Sequence, residues 1–114
     1  VNTSELLGEM AAVGPDIIGV DWKTPLDVAA ARVTATLRSE GLPAPVAVQG
    51  NLDPAVLLSE PRVVAEHVRR ICAEADAAIA AGDARGHIFN LGHGVLPETD
   101  PDAITRAFAE VHAL

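Results

Sequence analysis

A histidine between two glycines, Gly92-His93-Gly94, directly follows the apolar residues Ile88, Phe89 and Leu91, and of all the patterns in this chain it is best suited to chemistry. An imidazole changes charge within the working pH range, pairs with carboxylates and exchanges protons. Ends of strands are where α/β proteins place their ligands, and His93 falls where a strand gives way to a loop. Asp21-Trp22 after Ile17 and Ile18, and Gly50-Asn51 after Val46 to Gln49, occupy corresponding positions. Asp21, Asn51, Asp53 and Asn90 are candidates to line or support a cleft, together with Gln49. Each also has a local role, because Asp and Asn bond neighbouring backbone in turns and caps. Asp53 before Pro54 reads first as an N-cap. Trp22 reads as a packing anchor or a cleft wall. Gly50, Gly92 and Gly94 are expected to permit positive φ or a close backbone approach.

The remaining reactive residues read as structural. His87 begins a strand and His67 and His112 fall on helices, so these three are expected to face solvent. Cys72, the sole cysteine, sits mid-helix beside Ile71 and is expected to be a small buried residue. A zinc site needs thiolate or imidazole ligands at regular spacing, which is missing here, so no metal is expected. Neither a phosphate-cradling G-x-x-x-x-G-K-[ST] loop nor a G-x-S-x-G elbow is present.

The elements that must position these residues alternate. Asn2 or Thr3 can cap a helix with Leu6, Leu7 and Met10 on one face, ending near Gly14-Pro15. Residues 16–20 form a strand. Thr24 caps a helix opened by Pro25, with Leu26, Ala29, Ala30, Val33 and Leu37 at helical spacing. Gly41-Leu42-Pro43-Ala44-Pro45 ends it, and residues 46–49 form a second strand. Pro54 starts a short helical turn. Pro61 starts a long helix through Val64, Val68, Ile71, Ala75 and Ile79, closed by Gly82 at C′. Residues 87–91 form a third strand. Asp100-Pro101 opens a last helix through His112, with Ile104, Phe108 and Val111 inward. Strands separated by helices and lacking hairpin turns argue for a parallel sheet. Apolar strands fit a sheet covered on both faces, or a barrel. All the motif residues then share the rim formed by strand C-termini.

Composition narrows the class. A net charge of −8 argues against nucleic acid and anionic membranes as partners. The first residues, VNTSELLGEM, carry Glu5 and Glu9 and no base, unlike a signal or transit peptide. No apolar run approaches a membrane span, and one cysteine suits a reducing compartment. A cytoplasmic protein is expected.

Three blocks give a more specific reading. Gly19-Val20-Asp21-Trp22, Val48-Gln49-Gly50-Asn51-Leu52-Asp53-Pro54 and Asn90-Leu91-Gly92-His93-Gly94-Val95 resemble, in order, the strand-end motifs of the uroporphyrinogen decarboxylase family. The resemblance implies an α/β fold: three βα units of a TIM (β/α)8 barrel, with residues 1–114 forming its C-terminal third and no second domain. Three strands cannot close a barrel that needs about 250 residues. Open edges and bare apolar faces should therefore make the isolated chain self-associate or remain partly molten.

The family resemblance also implies the activity: removal of the carboxyl groups from the four acetate side chains of uroporphyrinogen III, giving coproporphyrinogen III in haem biosynthesis, without metal or organic cofactor. It assigns His93 to the tetrapyrrole cleft and suggests a homodimer. No catalytic residue is assigned within the chain, and the fragment alone is expected to be inactive. Two other readings compete. One is a non-enzymatic acidic α/β interaction module. The other is a methyltransferase-like relative on the same barrel, whose zinc site this sequence does not show.

Overall fold

The computed structural model describes residues 3–114. Asn2, one of the two expected caps of the first helix, lies outside the described residues. A 3-10 turn at Ser4–Leu6 leads into α1 (Leu7–Ala12), followed by β1 (Ile17–Gly19), α2 (Leu26–Ser39), β2 (Ala47–Leu52), a second 3-10 turn at Pro54–Leu58, α3 (Pro61–Ala80), β3 (His87–Leu91) and α4 (Pro101–His112). The sheet runs β1-β2-β3, and both neighbouring pairs are parallel. Ile17 pairs with Ala47, Gly19 with Gln49, Gln49 with Ile88 and Leu52 with Leu91. The alternation of helix and strand in the sequence thus becomes a parallel sheet in chain order, as expected.

One face of this sheet carries the core. Ile18 and Val20 of the β1 segment and Val48 and Leu52 of β2 are buried with Leu7, Leu26, Val33, Leu37, Val68 and Ile71 from the helices. Burying one such aliphatic side chain contributes about 1.5–3 kcal/mol, so this layer holds the fold together. The other face is bare. Ile17 is 46% and Ile88 44% exposed, Gly19 and Asn90 are exposed, and Ala47 and Gln49 are half-buried. In register, Gly19, Gln49 and Ile88 form one row across that face. Coverage on both faces, one of the two expectations, is not found; a bare row of this kind fits the other expectation, the inward face of a barrel.

Local signals explain most element ends. Asp53 Oδ1 accepts from Ala55 N and Asp100 Oδ1 from Asp102 N, both 2.9 Å, each followed by proline. Gly82 follows the α3 C-cap with φ +79°. Other ends differ from expectation. Strand β2 continues through Gly50 and Asn51 to Leu52, so those two residues lie in the strand rather than after it. Thr24 does not open α2: Pro25 is its N-cap residue and brings no side-chain cap. The Leu26 N–H donates instead to Glu74 Oε2 of α3 at 3.1 Å, and Arg70 Nη1 donates to the other oxygen of that carboxylate at 2.6 Å. Thr3 likewise supplies no side-chain cap to the first turn. Leu6, Ile79 and Phe108, placed on the apolar faces of their helices by spacing, are exposed; Leu7 is buried as expected, and Ala78 and Ala107 are buried where Ile79 and Phe108 are not.

Candidate functional site

A cavity of about 500 Å³ opens over the C-terminal ends of the three strands. Asp21, Gln49, Asn90, Gly92, His93 and Gly94 line it, so the structure brings together six of the residues named from sequence. Thr3, Met10, Gly19, Val20 and Leu91 complete the wall. Trp22, Gly50, Asn51 and Asp53 do not line it; the first three pack against or clasp the segments that do, and Asp53 caps the 3-10 turn after β2.

Asp21 is only 4% exposed, and its carboxylate is fully engaged. Oδ2 accepts from Thr3 N at 2.8 Å, and Oδ1 accepts from Ser4 Oγ at 3.0 Å and Lys23 N at 2.9 Å. Burial opposes ionisation, but the donors at Lys23, Thr3 and Ser4 outweigh it and hold the carboxyl below its ordinary value. Asp21 is thus an anion already spoken for, tying the residues before α1 to the end of β1. Asn51, also 4% exposed, donates from Nδ2 to the carbonyls of Asp21 at 2.8 Å and Thr24 at 2.6 Å. It clasps the β1–α2 loop to β2. Both residues support loops, and neither offers a free group to a ligand through these atoms.

The glycines divide. A Cβ on Gly50, whose φ is +144°, would lie 2.6 Å from the Val20 carbonyl oxygen. A Cβ on Gly92 would lie 2.3 Å from Trp22 N. Both positions demand glycine, one by conformation and contact, the other by contact alone. Gly94 has neither a left-handed φ nor a neighbour within 4 Å, so the expected backbone constraint is absent there. Trp22 is not a buried anchor. It is 41% exposed, with Lys23 Nζ 5.7 Å from its ring centroid, and its backbone is what Gly92 packs against.

His93 is exposed and stands between two concavities. Besides the rim cavity, it lines an apolar groove of about 350 Å³ with Leu57, Phe89, Leu91, Val95, Ile104 and Phe108. An imidazole here can meet a carboxylate on one side and an apolar ring system on the other. The groove was not legible from sequence, because Phe108 and Ile104 were assigned to the core by helical spacing alone. His87 also departs from expectation: it is half-buried, and its Nε2 lies 2.7 Å from the Gly50 carbonyl oxygen. Of the other two histidines, His112 is exposed as expected and His67 is half-buried. Cys72 is partly buried, and burial together with the nearby Asp76 raises its thiol pKa, which keeps it protonated and unreactive. Among the described residues, no three of His, Cys, Asp and Glu are grouped to hold a metal ion, and no helix is long and apolar enough to cross a membrane.

A parallel strand–helix sheet with one bare face and its polar residues gathered over the strand C-termini is the arrangement of the functional rim in a barrel-type α/β protein. The family model for uroporphyrinogen decarboxylase matches residues 1–114. The chain is 60% identical over 114 residues to the uroporphyrinogen decarboxylase of Rhodococcus jostii, covering 100% of this chain and 29% of that protein. It is 56% identical over 112 residues to the enzyme of that name from Corynebacterium diphtheriae, covering 98% of this chain and 30% of that one. The chain belongs to the uroporphyrinogen decarboxylase family. It spans about three-tenths of the length of these curated relatives. The matches do not bear out its expected placement as the C-terminal third.

Proposed function

We propose that this chain forms three consecutive βα units of a full-length uroporphyrinogen decarboxylase, and that its rim cavity is part of the wall against which the acetate groups of uroporphyrinogen III lose carbon dioxide to give coproporphyrinogen III. The observation that carries this reading is the gathering of His93, Asn90 and Gln49 around one cavity, beside an apolar groove, in a chain of this family.

The chemistry needs an electron sink. Protonation of a pyrrole ring carbon lets the ring take up the electron pair released when the bond to the carboxyl carbon breaks; a proton then replaces the lost carbon dioxide on the side chain, and the ring carbon gives up its added proton to restore the pyrrole. This sequence needs no metal or organic cofactor. His93 holds a substrate carboxylate: exposed at the rim, it offers a neutral donor or a cation, while the groove beside it accepts the apolar macrocycle. Asn90 and Gln49 supply further hydrogen bonds from the bare face. The cationic groups that gather an octa-anionic substrate belong to the rest of the barrel, since this chain carries net −8 and by itself repels such a ligand. The isolated chain is therefore inactive, and the full-length protein acts as a cytoplasmic homodimer.

The test is decarboxylation by the full-length protein, followed as product formed from uroporphyrinogen III. His93→Asn and His93→Ala should each lower turnover about ten- to a hundredfold, the loss of one charge-assisted contact, without abolishing it. Wild-type rates in both would remove His93 from the site. Supplying the remainder of the protein as a segment joined before or after this chain tests where these units fall in the barrel, because only the correct order restores activity.

A further inference from the structure

We infer that His87 is a positioning residue of the rim: by donating from Nε2 to the Gly50 carbonyl, it fixes the backbone step that aims the Asn51 amide at the β1–α2 loop. The inference rests on the proposed decarboxylase reading for its kinetic consequence, and on hydrogen bonding alone for its structural one.

The Gly50 carbonyl oxygen can only accept, so at 2.7 Å the facing Nε2 must carry the proton. The neutral Nε2–H tautomer and the imidazolium both satisfy that requirement. The contact is therefore available to the ring in either state. The ring is held from a second side by Phe89, edge to face, with centroids 6.1 Å apart and planes at 73°. Gly50 is itself buried and wedged against Val20, where a Cβ would lie 2.6 Å from the carbonyl oxygen. A planar peptide joins the Gly50 carbonyl to Asn51 N, so holding the carbonyl sets the orientation of the next residue. From that residue, Nδ2 reaches the Asp21 and Thr24 carbonyls. Asp21 then lines the cavity shared with His93. A side chain that touches no part of the cavity thus determines where one wall of it stands.

The experiment compares full-length wild type with His87→Phe, which keeps the ring but removes the donor, and His87→Gln, whose amide nitrogen reaches a similar point. His87→Phe should lower kcat/KM for uroporphyrinogen III about tenfold, chiefly through KM, and His87→Gln should restore it to within about threefold. The shape of the pH–rate profile should be unchanged in both, because the bond does not depend on titration. In parallel, NMR should find the Asn51 side-chain amide protons protected from exchange in wild type and His87→Gln and unprotected in His87→Phe. Full activity in His87→Phe, equal impairment of both variants, or a displaced pH profile would overturn the inference. If His87→Phe does not fold, His87→Gln decides, near-wild-type rates supporting the inference and a tenfold loss overturning it. If wild type shows no decarboxylation, the proposed function fails, and the Asn51 exchange pattern still accepts or rejects His87.

Discussion

The loop after β1 and the loop after β3 meet at Trp22 and Gly92, yet they are built on opposite principles. After β1, the Asp21 carboxylate accepts from three donors, and Asn51 of β2 donates to two carbonyls of that loop, with both residues buried. After β3, His93 and Gly94 are exposed, and no neighbour approaches within 4 Å of where a Gly94 Cβ would stand. The first loop is a frame and the second a presented group. Residue type alone does not separate these roles, since Asp21 and His93 both stand at strand ends and both carry groups that can meet a ligand. What separates them is satisfaction: a buried polar group with its partners in place has little left to give a ligand.

The largest effect expected from breaking this contrast is at Asn51. Asn51→Leu keeps the bulk but leaves two carbonyls without their donor, and should lower unfolding free energy by about 3 kcal/mol in urea titration of the full-length protein. Gly92→Ala follows, at about 2 kcal/mol, because the added methyl must displace the Trp22 backbone. Asp21→Asn should cost about 1.5 kcal/mol near neutral pH through weakened charge-assisted bonds. The sign of its pH dependence is set by the lowered native pKa. Wild type keeps the Asp21 contribution above the ordinary value of 3.8 and loses it as pH falls through the lower native value, so acid unfolding curves of wild type and Asp21→Asn should converge below that point. Gly94→Ala should be the mildest, within about 0.5 kcal/mol. His93→Ala should match it in stability while losing turnover, and a large stability loss at either position would erase the distinction between frame and presented group.

Sequence made much of the frame legible where the signal is local. Residues 87–91 and Pro101–His112 match the expected bounds, and the caps at Asp53 and Asp100 follow from an acid placed before proline. Parallel order followed from the lack of hairpin turns. Long-range partners were not legible. The N-terminal turn of α2 is capped by Glu74, far along the chain, and no pattern around Thr24-Pro25 signals it. Likewise β2 runs through Gly50 and Asn51 because Leu52 and Leu91 pair across the sheet, whereas Gly-Asn taken locally reads as a strand end. Helical spacing placed Phe108 inward, but the small residues Ala103 and Ala107 make the close contact and leave Phe108 to the groove. Six site residues were recovered as a group because strand C-termini share a rim in any parallel sheet. Which of them were free to act depended on contacts from other elements.

Strands β1, β2 and β3 are spatial neighbours in the same order as they occur along the chain. Each new strand can therefore be laid against one already in place, with its helix closing over the join, so that assembly proceeds by accretion rather than by search. The paired residues lie 30 positions apart between β1 and β2 and 39 between β2 and β3, so each join still waits on closing a helical crossover. The row Gly19, Gln49 and Ile88 stays in water for as long as no strand stands opposite it, and until then it is an apolar and hydrogen-bonding surface open to the wrong partner.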